Sequence, residues 1–430
     1  MKKIQTMLDF IYKSPTAFQA IDNIKMVLLE KGFQELNEGL AFSLEKGGKY
    51  FVTRNGTSMI AFDIGSEVKD YNFNIVASHS DAPTFKVKPN AVIVQDNFIK
   101  LNTEMYGGAI ANTWLDRPLS LAGRVIVQEE DGIDTRLLHI KKPICVIPNV
   151  AIHQNRSINE NMSYNNQVDM LPVLTSGKEF DFKAFLASEV GVEANQVLSF
   201  DLFLYPCVEG YTWGLQEEYF SSYHIDNLEC AYTSLVSFLS VENKHNINVY
   251  VTFDNEEVGS LTRQGADSAF LKDTLKRIAD GLQFDVYQAL ASSIMVSADN
   301  AHAVHPAHPE KADPTNRPLL NEGVVIKYNA NQSYTTDAIS AALLLQCARK
   351  ANVKTQYFTN RSDTRGGSTL GNISAGHVSI ASVDIGLAQL AMHSAMETAG
   401  TKDFESMIRL LEAFYQTRFK FKKEGKYQVL

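Results

Sequence analysis

Short blocks of apolar residues punctuate this chain, and their texture changes near residue 85 and again near residue 220. The first thirty residues carry two helical patterns broken at Ser14-Pro15, since proline disfavours helical geometry in the residue before it and tolerates a helix start. Ser14 is placed to cap the second helix. The β-type runs 49–53 and 58–62 flank Asn55-Gly56, a hairpin signal. A continuous apolar run then ends at His79, the texture of a buried strand. From Phe85 to Tyr219 the pieces are short and strand-like, among them 91–94, 124–127 and 144–147. After Ser221, apolar runs at 247–253, 293–298 and 378–383 alternate with helical periods. This pattern predicts an α/β fold with a mixed, mostly parallel sheet covered by helices, made from residues 1–85 and 220–430, with a β-rich domain inserted at 86–219. The one long irregular segment, 302–321, is rich in His, Pro, Asp and Asn, and a loop of that length is more often functional than accidental.

Composition narrows the function classes. At 430 residues, with 45% hydrophobic and 21% charged, the chain can bury two or three cores. Its 49 acidic residues exceed its 40 basic ones, for a net charge of −9, which argues against nucleic acid or a membrane surface as a partner. Cys145, Cys207, Cys230 and Cys347 form no C-x-x-C pair and read as reduced thiols. The first residues lack an apolar core of signal-peptide length, and no uncharged stretch of about 18 residues occurs, so a cytoplasmic protein is expected.

Ligand-type residues recur just after apolar runs or in Gly/Ser-flanked sequence: His79 with Asp81, Asp226, the pair Glu256-Glu257, Asp299 and His393. Each has an ordinary alternative. Asp226 and Asp299 could cap helices, adjacent glutamates are common on solvated surfaces, and His393 lies in an apolar stretch of helical type. Together they match what a two-metal hydrolase needs, because cations about 3.5–4 Å apart require a bridging carboxylate and further ligands from several strand ends. In the order His-x-Asp, Asp81 can fix the tautomer of His79. Of neighbouring glutamates, one can ligate while the other acts as a base.

The segments SHSDAPTFKVKP, YGGAIANTWLDRPLSLAGRV, IPNVAIHQNR, HIDNL, DNEEVGS, SADNAHAVHP, NRPLLNEGVVIKYN and DIGLAQLAMHS resemble, in this order, those of the aspartyl aminopeptidase family of dinuclear zinc exopeptidases. The resemblance spans nearly the whole chain. It implies two zinc ions per subunit bridged by Asp226, with His79 and Asp299 at one and Glu257 and His393 at the other; cobalt or manganese would suit the same donors. It implies Glu256 as general base and Asp81 as the partner of His79. His153 would contact substrate or serve as a further ligand, across a subunit boundary. Lys327 and Tyr334 would face the side chain of an acidic first residue, a solvated strand-end lysine being the ordinary alternative for Lys327. Met392, and His302 and His305 within six residues of Asp299, are further candidates for substrate contact. Asn316 stands where the family often has another histidine, a departure that bears on acidic preference. The resemblance further implies short peptides as substrates, dimerisation through the insertion, and dimers assembled into a tetrahedral dodecamer. A two-zinc amidohydrolase or deacetylase of the same fold, and a catalytically idle scaffold, are the rival readings.

Overall fold

A computed structural model describes residues 2–160, 162–364 and 366–430. Its largest sheet orders nine strands as Gln34–Glu35, Lys49–Arg54, Ser58–Ile64, Ile247–Phe253, Phe73–His79, Ile294–Ala298, Ala381–Gly386, Val324–Lys327 and Thr355–Phe358. The four strands from Ile247–Phe253 to Ala381–Gly386 run parallel, and antiparallel neighbours bound them on both sides. Both faces are covered. Along Phe73–His79, Val76 packs with the helices Lys2–Lys13, Ala17–Glu30, Ile225–Ser240, Ala338–Lys350 and Thr401–Gln416. Ile75 and Ala77 point the other way, toward Phe270–Leu282, Val286–Ala291 and Leu370–Ala375. Successive side chains leave opposite faces of a strand, so a strand covered twice is buried at every position, as this one is.

A six-stranded antiparallel sheet, drawn wholly from residues 84–206, has its own core around Trp114, Leu121 and Leu202. The chain leaves the large sheet after His79, passes Asp81-Ala82-Pro83 and enters this second sheet at Thr84. Gly123 is required there: its φ is +142°, and a Cβ would lie 2.0 Å from the carbonyl oxygen of Asp201 on the neighbouring strand. A third sheet orders Tyr211–Trp213, Tyr219–Ser222, Glu397–Gly400, Ala388–Leu390 and Ala301–His302. Two of its strands directly continue the chain beyond Ile294–Ala298 and Ala381–Gly386, so it rims the carboxyl ends of the parallel strands.

The hairpin turns at Asn55 and Gly56, both at positive φ, with Arg54 opposite Ser58. Three expectations shift. Thr16, not Ser14, caps Ala17–Glu30 by accepting from the Phe18 amide, while the buried Ser14 hydroxyl accepts from Asn23. The run at 378–383 enters its strand only at Ala381, and 144–147 makes isolated bridges rather than a strand. The segment 302–321 is mostly irregular, with one short turn at Pro309–Lys311. Among the described residues, no helix is long and apolar enough to cross a membrane.

Candidate metal centre

Parallel register carries the ligand-type residues to one place. Phe253 lies opposite His79, and Ser297 lies opposite Ala77, so Asp299 arrives beside His79. Glu256 and Glu257 open a short turn entered through Asn255 at φ +64°. Asp226 sits in the first turn of Ile225–Ser240 with non-helical backbone, and its amide donates to Glu397 Oε2 at 3.0 Å. It is therefore not a cap. His393 occupies the turn between Ala388–Leu390 and Glu397–Gly400 at φ +68°, rather than a helix.

The side chains converge without hydrogen bonding to one another. His79 Nε2 is 3.5 Å from Asp226 Oδ1 and 4.0 Å from Asp299 Oδ1. His393 Nε2 is 3.4 Å from Asp226 Oδ2 and 3.3 Å from Glu257 Oε2. Two ligands each about 2.0–2.2 Å from one tetrahedral cation lie roughly 3.4 Å apart, so spacings of this order suit donors around an ion. Asp226 Oδ1 and Glu257 Oε1 are buried with no hydrogen-bond partner, a costly state that a cation would relieve. The sets His79/Asp226/Asp299 and Asp226/Glu257/His393 each bring their ligand atoms within 4.8 Å of one another, as does His79/Glu256/Glu257. The first two sets share Asp226.

Electrostatics favour a cation as well. Burial, then the charge of Asp226, lifts Glu257 well above the carboxylate range. Burial also lifts Asp299, against the pull of Lys327, and raises Glu256 to about 8 despite the neighbouring imidazole of His79. Burial alone would raise Asp226 too, but the close imidazoles of His393 and His79 hold it below its ordinary value. His79, which burial alone would lower, is held well above the usual imidazole value by Asp226 and Asp81.

Asp81 has a wider role than partnering one histidine. His79 Nδ1 donates to the backbone carbonyl of Asp81 at 3.0 Å, leaving Nε2 to face Asp226 and Asp299. The Asp81 carboxylate accepts from the amides of Glu256 at 3.1 Å and Glu257 at 3.2 Å, and so orients that turn.

Lys327 is no solvated strand end. It is 2% exposed, donates to the Asn300 carbonyl at 3.0 Å, lies 3.7 Å from Asp299 Oδ2 and sits over the buried Tyr334 ring. His302 and His305 line a cavity of about 330 Å³ with Lys311, Phe358, Arg361 and Gln389. Met392 is half-buried beside His393, and Asn316 donates to Asp313 within the loop. His153 is exposed on a turn and joins none of the metal-type groups found among the described residues.

Sequence reasoning missed Glu397. It is 1% exposed; Oε2 accepts from the Asp226 amide, and Oε1 from the His393 amide at 2.8 Å and Gln389 at 3.3 Å. The available signal was a lone acid opening the otherwise small-residue strand Glu397–Gly400, four residues after His393.

The chain matches the family described as aminopeptidase I zinc metalloprotease (M18) over residues 10–415. It is 46% identical over 427 residues to a probable M18 family aminopeptidase 2 of Clostridium novyi, covering 96% of this chain and 99% of that protein. A protein of the same description from Pseudomonas aeruginosa is 39% identical over 420 residues, covering 96% of this chain and 97% of that one. Among solved structures, Ape4 in its complex with Nbr1 superposes at a TM-score of 0.92 with 36% identity, over 96% of this chain and 85% of that one. The S. cerevisiae mApe1 dodecamer superposes at 0.85 with 26% identity, over 96% of each chain.

Proposed function

Because the chain belongs to the M18 family of zinc aminopeptidases, which are metallopeptidase hydrolases, we propose that it removes the first residue from short peptides using two divalent cations. The observation that carries this reading is the sharing of Asp226 between two compact donor sets. His79 and Asp299 would hold one ion and Glu257 and His393 the other, with zinc as the family's metal and cobalt or manganese suited to the same donors. Bound there, the cations would polarise the scissile carbonyl and lower the pKa of attacking water. Glu256, beside the cluster but outside the two Asp226-sharing sets, is the group left to take the water proton and return it to the leaving amine. The Asp81 backbone carbonyl and carboxylate fix His79 and the Glu256-Glu257 turn respectively.

An acidic first residue is the proposed preference. Its positive reader is not Lys327, whose ammonium is buried against Asp299, but the cavity edged by His302, His305, Lys311 and Arg361. We also propose a cytoplasmic homo-oligomer, with residues 86–219 as the dimerising domain and a dodecamer as the full assembly. The likeness to the S. cerevisiae dodecamer supports the assembly.

The test is hydrolysis of peptides beginning with Asp, Glu, Leu, Met or Lys by metal-stripped and zinc-, cobalt- or manganese-loaded protein. Glu256→Gln is expected to lower kcat by about 10²–10⁴-fold while retaining metal. Release of no amino acid from any peptide by the loaded wild type would overturn the aminopeptidase reading, and equal rates on acidic and neutral peptides would overturn the preference.

A further inference from the structure

The Tyr-Gly-Gly run at 106–108 ends a strand of the six-stranded sheet and lies against the metal-type cluster. The strand Phe98–Tyr106 pairs antiparallel with Thr84–Gln95, and Tyr106 falls opposite Thr84, three residues beyond Asp81. The return strand of that sheet therefore delivers the next residues to the centre. The Tyr106 hydroxyl donates to Asp81 Oδ2 at 2.7 Å and accepts from Asn255 Nδ2 at 2.9 Å. Gly107 has φ +72°, and a Cβ there would lie 3.1 Å from Glu257 Cβ, so a side chain would be strained by conformation and would press on Glu257.

The neighbouring residues grip the other ligand of the same half. His393 Nδ1 is 3.2 Å from the Gly108 carbonyl. A carbonyl only accepts, so Nδ1 carries the proton and Nε2, facing Asp226 and Glu257, is left with its lone pair. The Ile110 amide donates to the His393 carbonyl at 3.0 Å, and the Ala395 amide donates to Thr113 Oγ1 at 2.9 Å.

We propose that residues 106–113 are a positioning clamp through which the six-stranded sheet sets the geometry of the Glu257/His393 half of the centre, and with it retention of the cation held there. The clamp acts through the ligands and touches no reacting atom. It rests on the two-cation reading above. Partners of this kind, standing behind metal ligands, typically change metal affinity or activity by about 10–100-fold when removed.

The experiment is cobalt(II) titration of metal-stripped protein without substrate, followed by calorimetry and by the visible absorption of the bound ion. Wild type taking up fewer than two equivalents would sink the two-cation reading itself, whatever the variants do. With two equivalents bound by wild type, Gly107→Ala is expected to weaken one binding step by about 10–100-fold and leave the other unchanged. Tyr106→Phe, which removes only the hydroxyl, is expected to weaken the same step and alter the cobalt spectrum. The melting midpoint of each metal-free variant separates a positioning role from a general packing role. A lowered midpoint with both dissociation constants at wild-type values would overturn the proposal, and so would wild-type behaviour throughout. If Gly107→Ala does not fold, the outcome for Tyr106→Phe decides.

Discussion

Glu257 and Asp299 are carboxyls lifted by burial, with Asp226's charge adding to the rise, while the anions around His79 push its imidazole upward. Without a cation, then, both kinds of group are shifted toward holding protons. Ligation requires ionised carboxylates and neutral imidazoles, so loading must expel those protons. Each group gives the same sign: metal binding releases protons, and affinity rises with pH. Calorimetry of zinc binding at pH 7 in buffers of different ionisation enthalpy is expected to report net proton release, and a buffer-independent heat would contradict the buried-cluster account. The residues concerned were legible in the sequence because each follows an apolar run or stands in a recognisable turn. Glu397 was not legible, because it acts by accepting from backbone amides of Asp226 and His393, which only folding brings to it. The burial of Lys327 was not legible for a related reason: its partners, Asp299 and the Asn300 carbonyl, come from another strand end.

Strand ends place the centre, so backbone packing between strands is the next control on it. Ala381–Gly386 runs parallel to Ile294–Ala298, and the Asp299 amide donates to the Ile385 carbonyl at 2.9 Å. A Cβ on Gly386 would lie 2.0 Å from the Asp299 carbonyl oxygen. Gly386→Ala must therefore displace the backbone that carries Asp299. Overpacking of this kind costs about 1–3 kcal/mol, and the urea midpoint is expected to fall together with zinc affinity. Gly367→Ala, where an added Cβ meets nothing within 4 Å, is the control and is expected to stay within about 0.5 kcal/mol of wild type. Unchanged stability and zinc affinity in Gly386→Ala would show that the strand ends yield more freely than their packing implies. At this scale the central strand Ile247–Phe253 was readable to the residue, since both its faces are covered and Ile247, Val249, Tyr250, Val251 and Phe253 make it a compact β-type run. The strand Ala381–Gly386 was read three residues early. Val378 is buried just after Leu370–Ala375, which extends the apolar run backward, and the strand's end carries Asp384 and Gly386, which look like loop.

Pattern along one chain has no term for contacts between copies, and the inserted sheet is where that gap matters. Its segment between the bridges at 145–147 and the strand Val173–Ser176 leaves Val150, Ile152 and Val168 exposed at 48%, 47% and 67%, with His153 among them. Exposed apolar side chains are what a contact surface needs, and the proposed oligomer would give this loop a neighbouring copy to rest on. Two effects can then be separated. Val150→Asp with Ile152→Asp removes the apolar anchor, and is expected to lower the mass measured by light scattering together with kcat. His153→Ala leaves the anchor intact, and is expected to lower kcat at unchanged mass, because the imidazole would act at a neighbour's centre. Full activity in a Val150→Asp/Ile152→Asp protein of reduced mass would show that each chain carries a complete centre of its own, and would confine His153 to the surface on which the single chain displays it.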